Sequence, residues 1–169
     1  MLSAPIKKEE VRSTMFSMDD HKAPGPNGFT VEFYKNGWSV VGVDFTYAMR
    51  EFFATGYMPK AINATIISLI PKKQCPLSMR DYIPISCCNV VYKCITKLMA
   101  EKMKKVLQTV VSENQSAFMQ GRLLSDNILP MQELVHNYHK MEGPKRCAFK
   151  IDIMKAYDFI KWEFLWCVM

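Results

Sequence analysis

The sequence predicts an α+β fold in which helices predominate. Three observations carry that prediction. "ATIISLI" (64–70) is a short apolar run rich in β-branched residues and of strand length. Apolar residues recur at helical spacing across 5–18, 38–53 and 89–110. Breakers such as "KAPGPNG" (22–28) and "EGPK" (142–145) separate the periodic segments. With 169 residues, 49% hydrophobic and 22% charged, the chain can bury one sizeable core and has globular rather than disordered composition.

Each element has a local reason. The opening helix is predicted over about 5–18, with Pro5 in its first turn and Val11, Met15 and Met18 on one face. After the breaker, a helical pattern holds Trp38, Val41, Phe45, Met49, Phe52 and Phe53; Gly56 and then Pro59 stop it. Pro71 ends the first strand, and a second short strand is predicted around "IPISC" (83–87). A long amphipathic helix follows over about 89–110, carrying Val91, Ile95, Leu98, Met99, Met103, Val106 and Val110. "SENQSAFMQGR" (112–122) reads as a loop, and a helix then runs to about Met141. "RCAFKID" (146–152) reads as a third strand, and "DFIKWEFLWCVM" begins a last helix. The 13 methionines, placed in helical stripes, read as core.

Composition narrows the function classes. No apolar run approaches the roughly 18 residues of a membrane span, so no membrane partner is expected. The opening residues do not read as a secretory signal, and the six cysteines form no CxxC pair. Reduced thiols, an intracellular location (nucleus or cytoplasm) and no disulfide-linked partner are therefore expected. The net charge of +6 fits a polyanion partner as readily as a set of solvated lysines. Lysines cluster at 7–8, 72–73, 102–105 and 150–161, and only the fold decides whether they share a face. His136 and His139 could share a helix side, but with no further ligand nearby they read as a solvated face.

The residues best able to carry chemistry are two carboxylates in "KIDIMKAYDFIKW" (150–162). Asp152 falls at the end of the predicted third strand, where ligands and metals gather in mixed folds. Asp158 opens a helical pattern and suits a cap. Taken alone, Asp152 reads more readily as a strand-ending residue, and Tyr157 as core.

The ordered series of motifs changes that balance. "KAPGPNGFTVEFYK", "LIPKK", "DYIPISCCNVVYKCITKLMAEKMKKVL", "SENQSAFMQGRLLSDNIL" and "KIDIMKAYDFIKWEFL" together resemble the reverse transcriptase of non-LTR (LINE-type) retrotransposons, especially those abundant in plant genomes. The resemblance covers nearly the whole chain, in order and with matching spacing. It implies a right-hand polymerase fold, of which these residues form helix-rich fingers and the first palm strand: an N-terminal helical extension over 1–60, fingers over 61–143 and the start of the palm over 144–169. It implies copying of RNA into DNA, with RNA template, DNA primer and dNTP as partners and two Mg²⁺ ions as cofactor. By the resemblance Asp152 matches a metal-binding aspartate, with the backbone carbonyl of Ile153 as a further ligand. Tyr157 matches the residue that excludes a 2′-hydroxyl, and Lys72 matches a lysine near the triphosphate. Gln115, Phe118 and Arg122 match a loop near the template.

Departures from the family pattern set limits on activity. Ile83 stands where the family has an arginine that contacts the incoming nucleotide, and an alkyl group cannot supply guanidinium donors. Arg80 lies three residues away, an odd offset that on an extended strand would point it to the opposite face. Asn27 replaces the usual aspartate, and Pro130 replaces an apolar helix former; either the helix starts near Ser125 and Pro130 interrupts it, or it starts later. The family's second catalytic motif, with two adjacent aspartates after a small residue, is absent: the one Asp-Asp pair is Asp19-Asp20. The segment is therefore expected to be inactive alone. An RNA-binding remnant without catalysis and a non-functional transposon relic are the alternatives.

Overall fold

A computed structural model describes residues 5–116, 119, 121–123, 125–136, 147, 149, 151–153 and 159–168. The chain divides into two compact units, Met1–Ser112 and Glu113–Met169.

The first unit is a helical core that carries a β-hairpin. Helix α1 spans Lys8–Phe16, α2 Val31–Asn36, α3 Trp38–Thr55, α4 Lys60–Asn63 and α5 Val90–Val110. Strands β1 (Thr65–Pro71) and β2 (Tyr82–Cys88) pair antiparallel between α4 and α5, with Thr65 opposite Cys88 and Ile70 opposite Ile83. The predicted helices and strands of this unit are present with small shifts of boundary. Helix α1 starts at Lys8, after Pro5, because the Glu10 carboxylate accepts from the Lys7 N–H at 2.9 Å and fixes the first turn there. The short helices α2 and α4 escaped the sequence reading. Helix α2 is only six residues long, too short to show a period, although Thr30 caps it by accepting from the Phe33 N–H at 3.1 Å.

The core forms where α1, α2, α3 and α5 meet. Val11, Met15, Val31, Met49, Val90 and Cys94 are wholly or almost wholly buried, with Ile6, Met18, Phe45, Ile95 and Leu98 beside them. Met15 of α1 and Met18 just after it are thus core, as their spacing predicts. On α5 the inward face is Val90, Cys94, Ile95 and Leu98, while Met99 is exposed, since a 3.6-residue repeat rotates it away. Aromatic edges complete the packing: Tyr34 meets Phe45 at 5.2 Å and Phe16 meets Trp38 at 5.9 Å.

The second unit contains α6 (Ser125–Val135) and α7 (Trp162–Val168). Pro130 lies inside α6. Most of the predicted third strand lies outside the described residues. Its described members Cys147, Phe149, Ile151 and Asp152 have no regular secondary structure, which corrects that expectation for them. A strand needs a ladder partner, and the only sheet among the described residues is the β1–β2 pair.

Candidate functional site

The hairpin positions the first candidate residues. The segment between its strands is held by Asp81, whose carboxylate accepts from the backbone N–H groups of Leu77 and Ser78, both at 2.9 Å, and pairs with the Lys73 ammonium at 3.0 Å. The Lys73 contact and then the two N–H groups hold the Asp81 pKa below the ordinary carboxylate value. Lys72 closes the mouth of this loop: its backbone N–H donates to the Asp81 carbonyl at 2.7 Å and its Nζ donates to the Arg80 carbonyl at 3.0 Å. The Lys72 side chain is exposed, and an ammonium has three donors, so it can meet an anion at little cost.

Arg80 sits in a 3-10 turn, Met79–Asp81, outside β2. The strand-parity argument against it therefore does not apply, because alternation of faces holds only along extended backbone. Its guanidinium has no hydrogen bond or ion pair among the described residues. Lys72, Lys73 and Arg80 leave the loop positive against the single carboxylate of Asp81. Ile83 is in β2, 46% exposed, and offers only hydrocarbon where the family motif has a guanidinium.

Other cations are tied to the chain's own backbone carbonyls. Lys35 donates to the Met18 carbonyl at 2.7 Å and pairs with Asp20 at 2.6 Å. Lys93 donates to the Ala23 carbonyl, Lys97 to Ser17 at 2.9 Å, and the Arg50 Nε to Ile6 at 3.0 Å. These groups satisfy carbonyls around α1 and the loop after it. The net charge of the sequence thus overstates what the fold offers a polyanion.

Asn27, in place of the family aspartate, keeps the local turn. Its Oδ1 accepts from the Phe29 N–H at 3.2 Å, which a carboxylate oxygen would also do. The sequence reading gave Asn89 no role. It is completely buried, although its place between a strand and a helix suggests only an ordinary helix cap.

In the second unit, the Arg122 guanidinium donates to the Gln115 carbonyl, so two of the three residues expected near a template meet. Asn127 donates to the buried Ser116 hydroxyl beside them. Phe118 and Tyr157 lie outside the described residues, as does His139. Asp152 and Ile153 are exposed, Ile153 at 62%. A carboxylate beside a backbone carbonyl is hard-oxygen chemistry that suits Mg²⁺. No group of three or more His, Cys, Asp or Glu side chains converges among the described residues, so the donor set there is incomplete.

The profile of the reverse transcriptase (RNA-dependent DNA polymerase) family matches residues 70–169, from the end of β1 onward and over more than half of the sequence. The chain is a member of the reverse transcriptase family. This reverse transcriptase segment is also 29% identical over 164 residues to a Xenopus laevis protein described as the transposon TX1 uncharacterized 149 kDa protein. That alignment takes in 97% of the chain and 12% of the relative's length. It extends the similarity into the helical residues before β1. Reverse transcriptases generally use Mg²⁺. No helix among the described residues is long and apolar enough to cross a membrane.

Proposed function

We propose that these residues serve RNA-directed DNA synthesis by a non-LTR type transposable element, as helical extension (1–60), fingers (61–143) and start of the palm (144–169). The observation that carries this reading is the continuous family match over 70–169, which takes in the Lys72 loop and the Asp152 segment in one register. The similarity to a transposon protein across nearly the whole chain supports the element type.

In this reading Lys72 is a mobile charge for the triphosphate of the incoming dNTP, and Tyr157 disfavours a 2′-hydroxyl by contact. Gln115, Phe118 and Arg122 line the path of the template RNA. Asp152 and the Ile153 carbonyl are oxygen donors for Mg²⁺. The metal, when bound, stabilises charge on the attacking and leaving oxygens of phosphoryl transfer. The remaining carboxylates must come from elsewhere, because the sequence holds no second aspartate pair of the family type. Ile83 removes one cationic contact to the nucleotide.

Grafting residues 61–169 onto the remaining palm and thumb of an active relative tests the proposal. The graft should extend a DNA primer on RNA poorly, better with Ile83→Arg, and hardly at all with Asp152→Asn in either background. Extension that survives Asp152→Asn removes Asp152 from the metal site. Primer extension by the 169-residue chain alone overturns the inference that the remaining carboxylates come from elsewhere.

A further inference from the structure

We propose that Asn89 is a positioning residue that locks both roots of the β1–β2 hairpin and the turn before Gly28 into one unit, and so sets the direction in which Lys72 and Arg80 are presented to a nucleoside triphosphate. What the hairpin meets rests on the reverse transcriptase reading. What Asn89 does rests on geometry alone.

Asn89 follows Cys88, the last residue of β2, and precedes Val90, the first of α5. An asparagine there would ordinarily cap the helix, yet its side chain makes no cap bond to α5. Its polar atoms serve more distant backbone instead. The Nδ2 donates to the carbonyls of Ala61 at 2.9 Å and Ile62 at 3.1 Å, with a longer contact to Ala64 at 3.5 Å. The Oδ1 accepts from the Asn27 N–H at 3.2 Å. One buried side chain therefore joins the approach to β1, the exit of β2 and the turn closed by the Gly28 N–H on the Gly25 carbonyl at 3.0 Å. Gly25 lies flush against it. A Cβ at Gly25 would stand 2.4 Å from both the backbone N and the Oδ1 of Asn89, so only glycine leaves room.

The rest of the hairpin offers little to fix its direction. Every residue of β1 is exposed, and β1 and β2 pack chiefly against each other. A strand of this length carries its far end roughly 20 Å from the root. A rotation of about 10° at the root then moves that end by about 3.5 Å, more than the length of a hydrogen bond. Orientation at the loop is thus decided by the bonds at the base. Without the Asn89 amide, the carbonyls of Ala61, Ile62 and Ala64 and the Asn27 N–H lose this buried partner together.

Hydrogen exchange on the full 169-residue chain tests this with Asn89→Ala and Asn89→Asp. In Asn89→Ala the ladder amides within 65–70, 82–83 and 85–88 and the Asn27 amide should exchange about tenfold faster or more, while α3 and α5 amides change by less than about threefold. Asn89→Asp keeps an acceptor but no donor, so it should free the 61–64 side and leave the Asn27 amide protected. An unchanged hairpin overturns the proposal. So does protection lost equally throughout α3 and α5, because Asn89 is then a general core residue. A fluorescent dNTP with Mg²⁺ supplies the second readout: Asn89→Ala should weaken its binding about as much as Lys72→Ala does. A freed hairpin that still binds the nucleotide like wild type overturns the positioning role. Wild type that fails to bind, with no effect of Lys72→Ala, counts instead against Lys72 as a triphosphate contact, and the exchange result alone then decides the part of Asn89.

Discussion

Replacing Pro130 by alanine should stabilise α6 measurably. The helix starts at Ser125, where the Leu123 N–H donates to the Asp126 carboxylate at 3.0 Å and the Asp126 N–H donates to the Leu123 carbonyl at 3.1 Å. Pro130 is therefore beyond the first turn, and the Asp126 carbonyl has no N–H to accept from four residues on. Proline in a helix interior costs about 3 kcal/mol relative to alanine. Removing it also loosens the unfolded chain, which returns about 0.4–1 kcal/mol to the other side. The net gain is about 2 kcal/mol, or roughly thirtyfold in the local opening equilibrium. Packing does little to hide it, because all of α6 is exposed and its 11 residues fall short of what an isolated helix needs. Hydrogen exchange of the 131–135 amides, with far-ultraviolet circular dichroism for helicity, reads the gain directly. A change below about threefold would refute the reasoning, since the lost bond and the ring clash would then carry no net penalty here.

Three further outcomes follow from individual groups. Gly56 ends α3 in a left-handed conformation, φ 71°, with its N–H on the Phe52 carbonyl at 2.7 Å; Gly56→Ala should cost about 1 kcal/mol in urea unfolding, and no loss would rule out that strain. Burial pushes the Cys94 thiol from 9.0 up to about 12 against a smaller opposing effect of Lys97. The unfolded thiol ionises first, so this group's share of stability is intact below pH 9 and is lost as pH rises towards 12; Cys94→Ala should flatten the fall over that window, and an equal slope in both proteins would count against it. Asp81 has the opposite sign. Its lowered pKa contributes stability above the ordinary carboxylate range that is lost as pH falls through the folded value. Asp81→Asn should speed exchange of the Leu77 and Ser78 amides at neutral pH and erase the acid dependence, and protection that stays as in wild type would show the loop held by other contacts.

The exposed apolar hairpin has a bearing on how the chain behaves in solution. Ile66, Ile67, Leu69, Ile70, Ile83 and Ile85 are all more than 40% exposed on a two-stranded ribbon with open edges. Such edges invite pairing between copies. Measurements on the isolated chain therefore belong at low concentration, where exchange and binding report on the monomer.

Much of the fold was legible in the residues themselves. The spacing of Val11, Met15 and Met18, the Gly56–Pro59 stop and the β-branched run before Pro71 each state a local preference, because their signal lies within one or two turns of chain. Motif order likewise sufficed to place Lys72 and Asp152 in a reverse transcriptase. Only the tertiary structure decided what depended on distant partners. Lys93 and Lys97 look like solvated charge in sequence, yet they hold carbonyls 70 and 80 residues away. Arg80 escapes strand parity because Asp81 folds the backbone before it into a turn. Nothing in the sequence around Asn89 marks it, yet its side chain reaches a turn 62 residues earlier in the sequence. A side chain's neighbours in sequence limit its backbone conformation, but its hydrogen-bond partner is whichever unsatisfied group the packed chain brings within about 3 Å.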